Sequence, residues 1–207
     1  MIRLSSMAVL AAGLTLSGCA VLKSPDPIQT YRFGGTPAFA SPAQAQPQCQ
    51  QKTVSMRRLD FDQAARADRL LTVTGMETAY IGGARWIVSA SDLFESALSD
   101  GFATGAPCLK VTQGLTRDGL SLAVEVRRFE TVYEAPGAVP NVRVSISARL
   151  LRPGDRSVVA EERIEVLESA GSNRIASIVQ AYELATADAV RQIVEWTVVE
   201  AEKAPAA

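Results

Sequence analysis

The residues whose types and spacing point most clearly to chemistry are the four-residue run Leu16-Ser17-Gly18-Cys19. This run has the pattern of a bacterial lipobox, in which the chain is cut before the cysteine and the cysteine sulfur then carries acyl chains. It follows one cation, Arg3, and an apolar stretch from Met7 to Leu14, an arrangement typical of a secretory signal. We therefore predict a signal peptide at residues 1–18, cleavage between Gly18 and Cys19, and lipid attachment at Cys19. The alternative is an ordinary signal cleaved nearby, with Cys19 incidental.

A lipidated Cys19 would hold the protein on a membrane rather than across it. Each buried methylene contributes about 0.8 kcal/mol, and more than one acyl chain is needed for stable attachment. The apolar stretch before Cys19 is shorter than the ~20 residues that a spanning helix needs, and no such run follows it. Cys19 is followed by Ala20, not by the Asp that typically retains a lipoprotein in the inner membrane. We therefore expect the periplasmic face of the outer membrane.

The charge balance argues against nucleic acid as a partner. The chain has 21 Lys and Arg against 22 Asp and Glu. Removal of residues 1–18 takes away one cation, Arg3, and leaves 20 against 22, a net charge of −2. Nucleic-acid binding usually needs a basic surface, which this balance does not favour.

Two cysteines, Cys49 and Cys108, remain after the lipidated one, an even number in an oxidising compartment. We predict a disulfide between them, which would close a loop of about 60 residues and contribute roughly 4 kcal/mol by the chain-entropy relation. Two separate free thiols are the alternative, because sequence does not show whether the two alpha carbons approach each other.

The composition excludes the commonest catalytic constellations. The chain contains no histidine, which rules out a Ser-His-Asp triad and a His-ligated metal. It has no G-x-S-x-G motif and no G-x-x-x-x-G-K-[ST] phosphate loop. Glu161 and Glu162 are neighbours on a predicted strand and point to opposite faces, while Gly82-Gly83 is predicted to be a turn. We expect no catalytic residue, no metal site and no cofactor.

Alternation of apolar and polar residues predicts three consecutive strands. Leu120 to Val126 alternates strictly, and the apolar phase then shifts to Phe129, which predicts a β-bulge near Arg127-Arg128. A similar shift occurs at Arg57-Arg58. Two further strands run through 142–150 and 164–166 after the turns at Pro136-Gly137 and Pro153-Gly154-Asp155, and residues 70–83 predict a hairpin that turns at Gly75. Three strands joined by short turns predict an antiparallel meander with one polar face.

Two helices are predicted from apolar stripes with helical spacing. The longer begins near Ser172 and runs to Trp196, and the shorter spans 90–98 with Gly101 as its stop. The expected fold is therefore α+β, an antiparallel sheet with two main helices packed on one face.

One domain accounts for the chain after the signal. We predict an anchor and linker at 19–29, a single domain at 30–200 and a C-terminal tail at 201–207. Residues 34–50 are rich in Pro, Gln and Ala and carry no charge, so we expect an irregular loop within the domain.

Several short motifs occur in a characteristic order behind the lipobox. They are Tyr31-Arg32-Phe33, Arg57 to Phe61 with Ala67-Asp68-Arg69, Ala79-Tyr80 leading to Arg85-Trp86, Arg128-Phe129-Glu130 with Tyr133, and Ala181 to Ala185 with Ile193 to Trp196. This order resembles the ABC-type transport auxiliary lipoproteins, which include the lipoprotein partner of the paraquat-inducible intermembrane transport system. The resemblance covers nearly the whole mature chain.

The resemblance implies a non-enzymatic periplasmic subunit of an ABC transporter that carries lipids or other hydrophobic compounds between the inner and outer membranes. The implied partners are a permease, an ATPase and a substrate-binding protein of the mammalian-cell-entry type; whether the chain forms a homo-oligomer is left open. Two other interpretations are a structural or assembly lipoprotein of the outer membrane, and a secreted hydrolase with a Ser-Lys or carboxylate site.

Arg85 and Trp86 are the candidates for a partner contact, because Trp and Arg are frequent hot spots of interfaces. The alternative is that Trp86 belongs to the core and that Arg85 covers it with its methylene stem.

We predict that metabolic labelling with a radiolabelled fatty acid tags the protein and that Cys19→Ser abolishes the label, because the acyl chains need the sulfur of that residue. Cys49→Ser, which leaves the lipobox intact, is the matched control and should keep the label. Labelling that survives Cys19→Ser would show that the lipid attachment site is wrong.

Overall fold

A computed structural model of the chain describes residues 27–35, 51–114 and 119–204. The predictions made for Gly18, Cys19 and Cys49 lie outside these residues. The elements are, in chain order, β1 (Gln29–Tyr31), β2 (Lys52–Met56), β3 (Asp60–Phe61), β4 (Leu71–Thr74), β5 (Glu77–Tyr80), β6 (Ala84–Trp86), α1 (Ala90–Gly105), β7 (Leu109–Gln113), β8 (Leu120–Tyr133), β9 (Asn141–Leu151), β10 (Val158–Ser169) and α2 (Ile175–Lys203).

Strand β8 is the centre of a sheet that has eight strands within the described residues. On one edge β8 pairs antiparallel with β9, which pairs antiparallel with β10. On its other edge β8 pairs in succession with β2, β3 and β4, all parallel to it. Strand β7 extends the sheet beside β2, and β5 returns antiparallel to β4. Strands β1 and β6 form a separate parallel pair.

The α+β class is confirmed, but the expectation of a purely antiparallel sheet is wrong, because the sheet is mixed. The meander of β8, β9 and β10 is antiparallel as predicted, and so is the hairpin that turns at Gly75. After β2 the chain returns through α1 to β7, which lies parallel beside β2, and β8 then follows in the same direction on the other side of β2. Alternation along one strand reports which face is buried and carries no information on the direction of its neighbour.

The β-bulge predicted near Arg127-Arg128 is confirmed. Val126 pairs with Ile146 and Arg128 with Ser145, so two residues of β8 stand against one of β9. This extra residue turns Phe129 to the same face as Val126, and both side chains are buried.

The phase shift at Arg57-Arg58 has a similar origin. Met56 pairs with Leu122 and Asp60 with Glu125, so the chain between β2 and β3 carries one more residue than the facing part of β8. The extra residue returns Phe61 to the buried face.

Both helices pack on the buried face of the sheet and against each other. Helix α1 has Ser89 as its N-cap, and the Ser89 Oγ accepts a hydrogen bond from the Asp92 N–H at 3.2 Å. The prediction that Gly101 stops this helix is wrong: the helix continues to Gly105, and Gly101 is buried within it. Tertiary packing outweighs the cost of about 1 kcal/mol for an interior glycine. Helix α2 runs to Lys203, into the range predicted as a tail.

The C-terminus of α2 is capped by a side chain from a distant part of the sequence. Lys52 Nζ, at the start of β2, donates to the backbone oxygens of Ala201 (2.7 Å), Glu202 (2.9 Å) and Ala204 (2.7 Å). An ammonium group has three donors, and all three meet carbonyls that lack a partner inside the helix. The positive charge also lies at the negative end of the helix dipole. Lys52 thus ties the end of α2 to the sheet.

We predict that Lys52→Met lowers the free energy of unfolding by about 1–3 kcal/mol, because it removes charge-assisted hydrogen bonds at a helix terminus while keeping the side chain's length. Lys110→Met, at an exposed lysine on the adjacent strand β7, is the matched control and should change stability by less than about 0.5 kcal/mol. Urea unfolding monitored by circular dichroism measures both. Equal effects of the two substitutions would contradict the capping role.

Cys108 is disulfide-bonded, and its partner lies outside the described residues. The Lys52 N–H donates to the Cys108 carbonyl at 3.1 Å, and Cys49 stands three positions before Lys52 in the sequence. This proximity supports the pairing of Cys49 with Cys108, which stays a prediction.

We expect peptide mapping of non-reduced protein by mass spectrometry to recover Cys49 and Cys108 in one cross-linked species. Reduction should lower the free energy of unfolding by up to about 4 kcal/mol, since the bond closes a long loop in the unfolded chain. A thiol-labelling experiment that modifies Cys49 in native, unreduced protein would count against the pair.

Candidate functional site

Trp86 lies in the core. Its residue surface is 2% exposed, and its ring packs edge-on against Phe33 at 4.9 Å and Tyr182 at 5.1 Å between centroids. Burial of the indole leaves no surface with which it could contact a partner, which corrects the prediction of a contact through Trp86. The structure confirms the alternative, in which Trp86 belongs to the core.

Phe129 is the centre of the aromatic cluster to which Trp86 belongs. Its ring centroid lies 5.1 Å from that of Phe33, 5.4 Å from Phe61, 6.3 Å from Phe94 and 4.8 Å from Tyr182. Aromatic pairs at these tilted or edge-on geometries contribute about 0.5–1.5 kcal/mol each beyond the area that they bury. The cluster therefore joins β8 to both helices and to the segment after β1.

The Tyr182 hydroxyl has partners inside this cluster. It accepts from Thr131 Oγ1 at 3.1 Å and lies 3.5 Å from the Leu71 carbonyl, to which it donates. Full burial raises the pKa of Tyr182, because the phenolate would have no water around it. The hydroxyl is therefore a satisfied polar group of the core.

Residues 32–35, which we call the strap, contact both helices. Phe33 enters the aromatic cluster, and the backbone N–H groups of Gly34 and Gly35 donate to the Glu183 carboxylate at 2.7 and 2.5 Å. Gly34 has φ of +110°, and a Cβ on Gly35 would overlap with Glu183 Oε1. The backbone conformation at residue 34 therefore favours glycine, whereas a side chain at residue 35 would require the Glu183 carboxylate to move.

Arg85 is partly exposed and is held by an ion pair. Its Nη1 lies 3.1 and 2.9 Å from the two carboxylate oxygens of Asp68, and 41% of its side chain is exposed. A contact between Arg85 and a partner stays a prediction.

Two exposed apolar residues, Ile87 and Val88, directly follow Trp86 in the sequence. They are 60% and 46% exposed, although the backbone around them is fixed. The Trp86 N–H donates to the Asp68 carbonyl at 2.7 Å, and the Ile87 N–H donates to the Tyr31 carbonyl at 2.8 Å. Sequence reasoning missed this pair, although two β-branched residues directly before a helix cap were a visible signal.

A cleft of about 520 Å³ lies between the first turn of α1 and the segment 58–67, and its lining includes Ser89, the residue that follows Val88 in the sequence. Two cations, Arg58 and Arg66, and two acids, Asp92 and Glu95, line it. The N–H groups of the first turn are already used: Ala90 donates to Ala67 at 3.0 Å and Ser91 to Arg66 at 3.2 Å. The charge of the cleft therefore comes from side chains and not from open helix N–H groups.

The sheet's other face is polar, as predicted. On it Arg143 Nη1 lies 3.6 Å from Glu130 and Arg143 Nε lies 3.9 Å from Glu165. Burial raises the pKa of Glu130, and the charges of Arg128 and Arg143 oppose that shift only in part. These groups pair with one another, so we assign them to the stability of the sheet.

The other sequence candidates have ordinary structural roles. Glu161 pairs across the sheet with Arg149 and Glu162 with Ala148, which places the two carboxylates on opposite faces. Gly83 has φ of +72°, as a turn requires. Within residues 27–35, 51–114 and 119–204 no group of three or more potential ligands could hold a metal ion. No helix of the same residues is long and apolar enough to cross a membrane.

The chain matches the family described as ABC-type transport auxiliary lipoprotein component over residues 36–194. It therefore belongs to this family of lipoproteins, whose described role is that of an auxiliary component in ABC-type transport. No functionally curated protein matches the chain.

Solved structures with the same fold include proteins from Xanthomonas campestris and Chlamydia trachomatis. Protein XCC0632 from Xanthomonas campestris, a DUF330 family member, is similar with a TM-score of 0.70 and 23% identity, over 86% of this chain and 95% of that one. The hypothetical protein CT253 from Chlamydia trachomatis is similar with a TM-score of 0.52 and 12% identity, over 74% of this chain and 99% of that one. At these identities the similarity establishes the fold.

We predict that Glu183→Gln lowers the free energy of unfolding by about 1–2 kcal/mol, since an amide cannot accept from both strap N–H groups as a carboxylate does. Glu202→Gln, at an exposed position of the same helix, is the control and should have little effect. Thermal unfolding of both variants measures the difference. No loss at Glu183 would mean that the strap is held by Phe33 alone.

Proposed function

We propose that this protein is a lipid-anchored periplasmic subunit of an ABC transporter that carries lipids or other hydrophobic compounds between the inner and outer membranes. Its direct partner would be a substrate-binding protein of the mammalian-cell-entry type, working with a permease and an ATPase. The observation that carries the proposal is the family match over residues 36–194, because the family is one of auxiliary transport lipoproteins. The lipobox at Leu16 to Cys19 supports it independently.

The anchor would hold the domain close to one membrane. Nine residues lie between Cys19 and Gln29, the first residue of β1, so ten residue-to-residue steps join the two. At no more than 3.3–3.6 Å per residue, this linker spans at most about 35 Å. The start of β1 would thus stay within that distance of the membrane surface. Ala20, which follows the cysteine, favours sorting of the lipoprotein to the periplasmic face of the outer membrane.

The role would be binding rather than turnover. The domain's aromatic core, its strap and its capped helices fix the surface residues in place, and a rigid surface loses little entropy when it binds. ATP hydrolysis would belong to the ATPase subunit, since this chain lacks a phosphate-binding loop.

The experiment is affinity purification of the tagged lipoprotein from native membranes at native expression, followed by mass spectrometry. We expect a mammalian-cell-entry-type protein, with its permease and ATPase, to copurify with the unmutated protein. Cys19→Ser, which should release the domain from the membrane, is expected to reduce the yield of these partners at least tenfold. If none of the three copurifies with the unmutated protein, the transport proposal is wrong and the structural or assembly role replaces it.

A further inference from the structure

We propose that Ile87, Val88 and the cleft lined by Arg58, Arg66, Asp92 and Glu95 form the surface on which the transport partner protein docks, through a segment that carries an apolar side chain beside one acidic and one basic residue. We call these six residues the docking surface. The identity of the partner rests on the function proposed above, whereas the location of the surface rests on the geometry that follows.

The apolar part of the docking surface is held rigidly. The segment 66–68 binds the chain on both sides of Ile87 and Val88, through the Trp86 N–H to Asp68 and the Ala90 N–H to Ala67. Trp86 itself is locked in the aromatic cluster. The two β-branched side chains are therefore presented to solvent by a fixed backbone, which favours binding because little ordering remains to be done.

The four charges of the cleft are available to a partner. In the described part of the chain, the side chains of Arg58, Arg66, Asp92 and Glu95 form no ion pair with one another or with other residues. By contrast Arg85, a short distance along the chain, is engaged by Asp68. Charges left without partners in a cleft can steer a complementary segment and set its register.

The cleft carries both positive and negative side chains, and this mixture favours a protein segment over a small anion as the bound partner. A lone phosphate or carboxylate ligand would meet the two arginines but would be repelled by Asp92 and Glu95, and the first-turn N–H groups that could hold it are already used. A segment with both an acidic and a basic side chain would pair with the arginines and with the acids of the cleft together. An apolar residue of the same segment would cover Ile87 and Val88, which directly precede the cleft-lining Ser89 in the sequence, and would add the apolar contact found in protein interfaces.

The first test places a photo-crosslinking amino acid at Val88 in the full-length, anchored protein and irradiates native membranes. We expect a crosslink to the mammalian-cell-entry-type protein, at a peptide that contains both an acidic and a basic residue. A crosslink to a second copy of this chain, to lipid alone or to a protein outside the transport system would overturn the proposal, as would the absence of any crosslink.

The second test reverses charge and polarity at the surface and measures copurification of the same partner. Arg58→Glu with Arg66→Glu, and separately Val88→Ser, should each lower it at least tenfold, with the melting temperature unchanged. The matched controls are Arg163→Glu, at an exposed arginine of β10, and Val199→Ser. Val199 is 48% exposed and is therefore as accessible as Val88. A charge reversal at the crosslinked acidic residue of the partner, from Glu or Asp to Lys, should restore binding to the Arg58→Glu, Arg66→Glu variant.

The two tests separate this proposal from the proposed function. If the mammalian-cell-entry-type protein copurifies equally with the unmutated protein and with the docking-surface variants, the transport assignment stands and the docking surface is wrong. If it copurifies with neither, the transport assignment fails, and the Val88 crosslink then identifies a different partner or none, which overturns the docking proposal as well.

Discussion

The packing of Phe129 against four other aromatic rings is the interaction on which the rest of the structure depends. Phe129 faces the core only because the bulge at Arg127-Arg128 inserts one residue into β8. A one-residue change of register turns every later side chain of a strand to the other face, so without the bulge Phe129 would point to water. The strap, the segment around β3, and both helices would then lose the side chain that they share.

The position of the docking surface follows from this core. Phe33 and Tyr182 hold Trp86, and Trp86 is bonded through its backbone to the segment 66–68. Because Trp86 is pinned inward, the next two residues of the chain emerge at the surface before α1 begins at its Ser89 cap. A buried indole and an exposed Ile87-Val88 pair are thus consequences of the same packing.

The three strands of the meander, the bulge, the hairpin at Gly75 and both helices could be predicted because each produces a pattern within a few neighbouring residues. The direction of the strands beside β8 could not, because it depends on how the chain crosses over between β2 and β8. The end of α1 was also missed: a glycine is a helix stop by local preference, whereas Gly101 is held in the helix by what packs on it. For the partner contact, the Trp type of residue 86 was misleading, because residue type does not report burial and Trp86 lies in the core.

The sequence by itself excluded catalysis and metal binding by histidine and indicated the α+β class and the family, and it carries the prediction of lipid attachment at Cys19. All of these depend on composition or on short contiguous motifs, which exist before the chain folds. Only the tertiary structure decided the mixed sheet, the capping of α2 by Lys52, the grip of Glu183 on the strap, and the cleft that collects charges from residues 58–95. These features join residues that are far apart in the sequence, and their distances are set by the closure of the core around Phe129.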